Sequence, residues 1–314
     1  MELRHLRYFL AVAEELHFAR AAGRLHIEQS PLSRAIKELE EELGVELFAR
    51  TTRSTRLTRA GKLFQDHVHR VFATLEQARD SVKAAANGFH GQLRVALSDG
   101  ITPSRLSTLL ALCRQEEPEV ELRFFEVPLS QQIKGLHDDL YDVGFAQTSE
   151  VGDDIVAIPV WSDAFMVAVP ARHPLLVHKR IPLEELLRYP LVLCDPKICE
   201  GYAKYVDRVL RRVDMEPLIA ERVATCDLMM ALVSAGFALG FSSAERIAAN
   251  PDSGVVARPL ALRVPPLTTY LLHPVGEPSE ILGRFVERVK AIESPEIAKS
   301  MPDLQPDPAR ESAP

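Results

Sequence analysis

The sequence predicts an α/β chain in three parts: a small helical domain with a basic β-hairpin, a long single helix, and a larger region of alternating strands and helices. Three observations carry this. Within residues 29–43, Leu32, Ile36, Leu39 and Leu43 recur at spacings of 4, 3 and 4, the single buried stripe of a helix. Phe64, Val68, Val71, Leu75, Ala78, Val82 and Ala85 then repeat at 4, 3, 4, 3, 4 and 3, a heptad. Beyond Leu93, short apolar runs alternate with amphipathic segments, the rhythm of a parallel sheet with helical crossovers.

Taken in order, the first helix is expected from about Glu2 to Leu16, with Leu6, Phe9, Leu10, Ala13 and Leu16 inward. His17-Phe18 makes the turn, Phe18 serving as a core plug. A short helix around residues 19–25 precedes the one bearing the leucine stripe. That stripe pushes Ser30, Ser33, Arg34 and Lys37 onto the opposite face, with Gln29 and Pro31 at the helix start. Amides and guanidiniums there can pair with base edges in a major groove, while hydroxyls and helix-start N–H groups take phosphates. Glu38, Glu40, Glu41 and Glu42 crowd the last turns and would repel phosphates, so only the first half can approach DNA. A solvated amphipathic helix explains this helix equally well by itself. The following stretch decides: Arg50, Arg53, Arg56, Arg59 and Lys62 come with no acid between them, interleaved with Thr and Ser, a β-prone wing able to grip phosphates.

Ala21, Ala22, Leu25, Gln29, Ser30, Leu32, Ser33, Ile36, Leu39, Glu40, Leu43, Gly44, Leu47, Phe48, Arg50, Arg53, Leu57, Thr58, Ala60 and Gly61 fall on the N-terminal signature of the LysR-type transcriptional regulators, which the chain resembles closely. Ala19 departs from the hydroxyl residue that often opens the family's second helix. Gly23 sits inside that helix at a cost of about 1 kcal/mol relative to alanine. Glu28 favours a helix start yet adds a negative charge near DNA.

The totals agree with this organisation. A chain of 314 residues exceeds what one core comfortably serves. Residues 1–88 hold 14 Lys and Arg against 12 Asp and Glu, while the remainder holds 23 against 32, so only the first quarter suits a polyanion. No run of about 18 apolar residues exists and the start lacks a signal peptide's apolar stretch, so a cytoplasmic protein without a membrane contact is expected. The four cysteines, at 113, 194, 199 and 226, show no metal spacing, and reduced thiols are expected. A redox switch through Cys194 and Cys199 stays open as an alternative, since one branch of the family senses oxidants through two cysteines.

The heptad is too narrow a seam for a lone helix and predicts a dimer, which would present two reading helices about one DNA turn, ~34 Å, apart. Asn87-Gly88-Phe89-His90-Gly91 reads as a hinge. Strands are then expected at 93–97, 120–127 and 142–146, with helices opened by Thr102-Pro103 and by Ser130. A second unit has strands at 164–170, 190–194, 219–224 and 238–241, and helices at 201–213 and 227–235, the latter ended by Gly236. The chain returns through a strand at 268–272 and a helix at 279–292. Two such lobes resemble the periplasmic-binding-protein architecture of the family's C-terminal half, and Arg172-His173-Pro174-Leu175 matches a short family element. Asp139 stands where the family usually ends a helix with glycine, and aspartate tolerates the left-handed conformation required.

The resulting layout is a winged helix-turn-helix domain at 1–58, a dimerisation helix at 59–88, an effector domain at 89–293 (lobe I about 91–161 and 267–293, lobe II about 162–266) and a disordered tail at 294–314. Ligands of open sheets sit beyond the carboxyl ends of strands, where helix starts favour anions. That nominates Ser98, Thr102, Ser104, Leu129, Ser130, Phe145, Gln147, Gly201, Tyr202 and Thr225. Plain capping explains Ser130 and Thr225 as well. By position, Ser104, Leu129, Gly201 and Tyr202 match where regulators resembling the aromatic-catabolism branch hold a small carboxylate, although Leu129 replaces a frequent hydroxyl.

No nucleophile, phosphate loop or metal-ligand set lies at motif spacing, so neither catalysis, cofactor nor metal is expected. The expected protein is a DNA-binding regulator. The resemblance implies a dimer of dimers on promoter DNA, answering a small organic acid and acting on RNA polymerase. The rival is a cytoplasmic small-molecule binding protein or enzyme of doubly wound type whose N-terminal domain is an interaction module.

Overall fold

The computed structural model describes residues 1–50, 54–98, 101, 103–249 and 254–292. Arg53, Thr102 and the tail at 294–314 lie outside the described residues. The chain divides into two compact units, one ending at Lys83 and one beginning at Ala84.

The first unit comprises α1 (Leu3–Glu15), α2 (Phe18–Arg24), α3 (Gln29–Leu43), the hairpin β1 (Phe48–Arg50) and β2 (Thr55–Leu57), and all but the last three residues of α4 (Arg59–Ala86). Phe9, Val12, Leu32, Ile36, Leu39 and Phe48 form its core, with the Phe9 ring 5.4 Å from Phe48 and 4.9 Å from Phe64. Two expected core positions are corrected. Leu16 is exposed, because it ends α1 in the left-handed region at φ 48°. Leu43 is exposed too, in the last turn before Gly44 closes α3 at φ 69°. His17, not residue 19, opens α2: its Nδ1 accepts the Arg20 N–H at 3.3 Å. Thr58 opens α4, its hydroxyl accepting the Gly61 N–H at 2.9 Å. Gly61 is dictated by space, since a Cβ there would strike the Leu47 carbonyl and the Leu57 side chain. The heptad of α4 splits: Val68 is buried and Phe64 half-buried in this unit's own core, while Val71, Leu75, Ala78, Val82 and Ala85 remain exposed.

The second unit has two lobes with separate cores. Lobe I is a five-stranded sheet in the order β4-β3-β5-β12-β6, formed by β3 (Gly91–Leu97), β4 (Val120–Glu126), β5 (Val143–Ala146), β6 (Ile155–Asp163) and β12 (Leu267–Pro274). Helices α5 (Pro103–Glu116), α6 (Leu129–His137) and α11 (Glu280–Ala291) accompany it. The β3, β4 and β5 pairings are parallel, as expected, whereas β12 runs antiparallel to β5 and to β6. Strand β6 was not anticipated, because Pro159 interrupts its pattern; on an edge strand, opposite a register shift at Thr269/Tyr270, that proline breaks no ladder. Asp139 takes φ 55° beyond α6, as its residue type allowed.

Lobe II holds β7 (Phe165–Pro170), β8 (Leu191–Cys194), β9 (Ile219–Val223), β10 (Gly240–Ser243) and β11 (Val255–Arg258), with helices α7 (Leu183–Leu186), α8 (Glu200–Leu210), α9 (Cys226–Ser234) and α10 (Ala244–Ala248). Its β8–β9 pair is parallel, but β7 runs antiparallel to both β10 and β11, so the second unit is mixed rather than parallel throughout. Gly236 lies just beyond α9 at φ 75°. The chain enters lobe II from β6 through Ala164 and returns in β12. Stacked rings mark each core: Phe145 on Trp161 in lobe I at 5.2 Å, Phe165 on Phe241 in lobe II at 5.1 Å.

Candidate nucleic-acid interface and ligand cleft

At the start of α3, Gln29, Ser30, Pro31, Arg34 and Lys37 are exposed on one side and Ser33 is half-buried, opposite the fully buried Leu32, Ile36 and Leu39. Glu28 precedes the helix but its carboxylate does not cap it. Lys37 has an exposed partner one turn on, Glu41 at 3.5 Å, a pair worth little in water. The cations of α2 are already met by α1, Arg20 by Glu15 and Arg24 by Glu14.

The wing is fixed to α3 by a residue that sequence reasoning misassigned. By position Glu40 reads as a carboxylate repelling phosphates; it is 12% exposed and turned inward. Its Oε1 accepts the N–H groups of Leu47 at 2.8 Å and Phe48 at 3.0 Å, and its Oε2 accepts from Arg50 Nη2 at 2.6 Å. Arg50 also lies over the Phe18 ring, 4.8 Å from its centroid. Arg50 is therefore an anchor of the hairpin, while Arg56 on β2 stays exposed.

Between the lobes lies a cavity of about 710 Å³, bordered by the carboxyl ends of β3 and β10 and by the start of α9. Of the nominated residues, Ser98, Gln147, Tyr202 and Thr225 line it. The Ser98 hydroxyl lies 3.0 Å from Gln132 Oε1 and 3.2 Å from the Phe145 carbonyl, while Thr225 accepts the Leu228 N–H at 3.2 Å as the cap of α9. Tyr202 donates to the Phe241 carbonyl at 2.7 Å, and burial holds its phenol well above the ordinary range, so it is a neutral donor.

The other nominated residues among those described are turned elsewhere. Phe145 stacks in the core, because β5 is buried on both faces, and Leu129 packs beneath α6 with Leu136 and Leu272. Gly201 is buried in the first turn of α8. Ser130 does not cap α6, which opens at Pro128; its N–H and hydroxyl both point at Glu200. Ser104 is bonded to Glu245. Sequence reasoning missed Ser242, Ser243, Arg246, Glu126, Asp227 and Cys226, all on the cavity wall. The rule that selected Ser98 and Thr225, strand end followed by helix start, would have selected Ser242 and Ser243 had β10 been extended to its junction with α10. Cys194 and Cys199 border the same cavity, and neither is in a disulfide. A larger hollow, about 1020 Å³, follows α8 and residues 213–217 beside β9, but on lobe II with only Ser130 from lobe I at its rim.

Two family models match this chain: the bacterial regulatory helix-turn-helix protein, lysR family, over residues 3–62, and the LysR substrate binding domain over residues 86–292. The chain belongs to the LysR family of transcriptional regulators. It is 34% identical over 253 residues to the uncharacterized HTH-type transcriptional regulator YnfL of Escherichia coli, covering 80% of this chain and 85% of that one. With BenM of Acinetobacter baylyi the identity is 31% over 238 residues, covering 75% and 78%. Among solved structures, CbnR, a LysR family transcriptional regulator, superposes with a TM-score of 0.69 at 28% identity, covering 93% of this chain and 99% of that one. Full-length CbnR complexed with its target DNA gives 0.70 at the same identity and coverage. The protein is thus a LysR-type regulator with a helix-turn-helix domain and a two-lobed, periplasmic-binding-protein-like effector domain; its homologues are regulators and not enzymes. No described helix is long and apolar enough to cross a membrane.

Proposed function

We propose that this regulator binds double-stranded promoter DNA by laying the start of α3 in a major groove, with its wing on the adjacent backbone. The observation that carries this is the joint exposure of Gln29, Ser30 and Arg34 at a helix start that no side chain caps. Gln29 and Arg34 read base edges; Ser30, Ser33, Lys37, Arg53 and Arg56 meet phosphates, and Arg50 positions the wing. The assembly is a homo-oligomer, a dimer of dimers, supported by the exposed apolar stripe Val71, Leu75 and Val82. In this reading the chain divides into a reading head at 1–58, a pairing helix at 59–88, an effector domain at 89–293 and a tail at 294–314. The protein works in the cytoplasm, where a small organic acid in the inter-lobe cavity alters the arrangement of lobes and subunits and thereby the recruitment of RNA polymerase. Arg246 and the hydroxyls of Thr225, Ser242 and Ser243 support an acid, seated away from Glu126 and Asp227.

A gel shift on the DNA upstream of the gene tests the reading. Arg34→Ala should weaken specific binding by about tenfold or more, from the loss of one paired base contact. No shift at low salt, or one that Arg34→Ala leaves intact, refutes it.

A further inference from the structure

The inter-lobe cavity carries more acid than base. Among the described residues on its wall, charge comes from Glu126, Asp227 and Arg246, two carboxylates against one guanidinium. Glu126 ends β4 in lobe I and Asp227 lies in the first turn of α9 in lobe II, so the acids come from opposite lobes. Neither carboxylate has an ion-pair or hydrogen-bond partner among the described residues. The positive end of α9 eases the charge on Asp227, but Glu126, at the end of a strand, gains nothing of the kind.

Another part of the same wall is suited to an anion. Arg246 is held there by its Nη2 bond to the Ile101 carbonyl at 2.9 Å. Beside it, Ser242 and Ser243 are 3% and 5% exposed. The Ser243 hydroxyl accepts the backbone N–H of Arg246 at 3.2 Å, and the Thr225 hydroxyl accepts that of Leu228 at 3.2 Å. A hydroxyl that accepts keeps its own proton to give. Ser242 has the Cys226 sulfur at 3.6 Å, a weak partner. Buried hydroxyls next to a guanidinium are completed by an acceptor entering the cavity. A carboxylate meets that need. A second carboxylate on the same molecule would instead meet Glu126 and Asp227, and like charges brought together in a cavity are costly.

We propose that the effector is amphoteric, a compact amino acid whose carboxylate lies at Arg246, Ser242 and Ser243 and whose ammonium group lies between Glu126 and Asp227. This rests on the reading of the cleft as an acid-effector site, and it names the class of acid. Simple monoacids leave both carboxylates unmatched, and diacids are repelled by them. The same arrangement supplies the regulation. Without ligand, the two carboxylates repel one another across the cleft; an ammonium group between them turns that repulsion into attraction. The ligand therefore binds best when the lobes are close, which is the differential contact a population shift needs.

The test is Trp161-monitored melting of the full-length chain with probes that share a carbon skeleton. Glycine, β-alanine, γ-aminobutyrate and the common L-α-amino acids are each compared with the corresponding deamino acid, and succinate and glutarate serve as diacids. At least one amino acid should bind about tenfold or more tightly than its deamino counterpart, from one charge-assisted bond made in a cavity. Glu126→Gln and Asp227→Asn keep the shape of exposed side chains, so ligand-free melting should stay in place while each weakens that amino acid by about tenfold. The diacids should gain affinity in the same two variants. Amino acids that bind no better than their deamino counterparts overturn the proposal and leave the acid site standing, as do amide variants that bind the amino acid unchanged. No shift from any probe, with an amine or without, counts against the acid reading of the cleft and overturns the proposal with it.

Discussion

Replacing Glu40 with alanine should detach the wing from the reading helix. The carboxylate accepts two backbone N–H groups of a half-buried corner, Leu47 and Phe48, and the Arg50 guanidinium. Hydrogen bonds to charged groups contribute about 1.5–3 kcal/mol, and a donor left unsatisfied in a part-buried site costs about 1–3 kcal/mol. One oxygen serves both N–H groups, so the two losses do not add in full, and the Arg50 pair is discounted because that side chain is 36% exposed. The expected cost is about 2–4 kcal/mol. In a unit of this size each kcal/mol lowers the melting temperature by roughly 4–8 °C, so a fall of about 10–20 °C is expected.

The assay follows from the distribution of chromophores. The single tryptophan, Trp161, belongs to lobe I, so its fluorescence is blind to the first unit. Glu40→Ala should therefore lower an early transition seen by circular dichroism while leaving the Trp161 transition in place. Glu40→Gln, which retains an acceptor oxygen, should recover about half the loss. Arg50→Ala should cost less than Glu40→Ala, because it spares both backbone bonds. An early transition that Glu40→Ala does not move would refute the anchoring argument and return Glu40 to the solvated face.

Gly23 lies within α2 with open space around the place of a Cβ, so Gly23→Ala should stabilise the first unit by about 0.5–1 kcal/mol in the same circular dichroism melt. Leu75→Glu puts a charge into the exposed stripe of α4 and should shift the assembly toward smaller species by sedimentation velocity, with the Trp161 transition unchanged. The bonds from Arg288 and Arg284 hold the Glu117 carboxyl below the ordinary glutamate range. For a depressed acid the contribution is complete at neutral pH and is lost as pH falls through the lowered value. The gap in Trp161-monitored melting temperature between the unsubstituted chain and Glu117→Gln should therefore stay open at neutral pH and close as pH falls below the ordinary glutamate range; a gap independent of pH would remove this ion pair from the account.

The parts legible in the sequence are those with a local period. The stripe of α3 and the basic hairpin needed only side-chain spacing. The parts that failed are those where distant segments decide. Glu40 looked like its neighbours Glu38, Glu41 and Glu42, and nothing local shows that Leu47 and Phe48 turn back toward it. The heptad of α4 is real, yet its first positions serve the unit's own core, a division that periodicity alone does not carry. Phe145 sits at a strand end, as a ligand contact would, but a strand covered on both faces gives an apolar run with no indication of which side each residue takes. Ser104 and Ser130 read as donors to an outside anion; both donate instead to carboxylates of this chain, Glu245 and Glu200, too distant in sequence for spacing to pair them.

That last point separates the two places where helix starts are exposed to charge. Four helix starts are capped by their own side chains: His17 caps α2, Thr225 caps α9, Ser243 caps α10 and Ser279 caps α11. Helices α3 and α6 open without one, as do α1, α7 and α8. At α6 the missing acceptor comes from within the same unit, as Glu200. At α3, among the described residues, no side chain takes that place, and the nearest carboxylate, Glu28, does not cap. The free N–H groups, the positive end of the helix and the exposed Arg34 then act on the same small volume, which an anion from outside can fill without displacing part of the protein. A polyanion therefore meets an open place at α3, so raising ionic strength should weaken DNA binding steeply while the Ser130 amide, bonded within its own unit, stays protected.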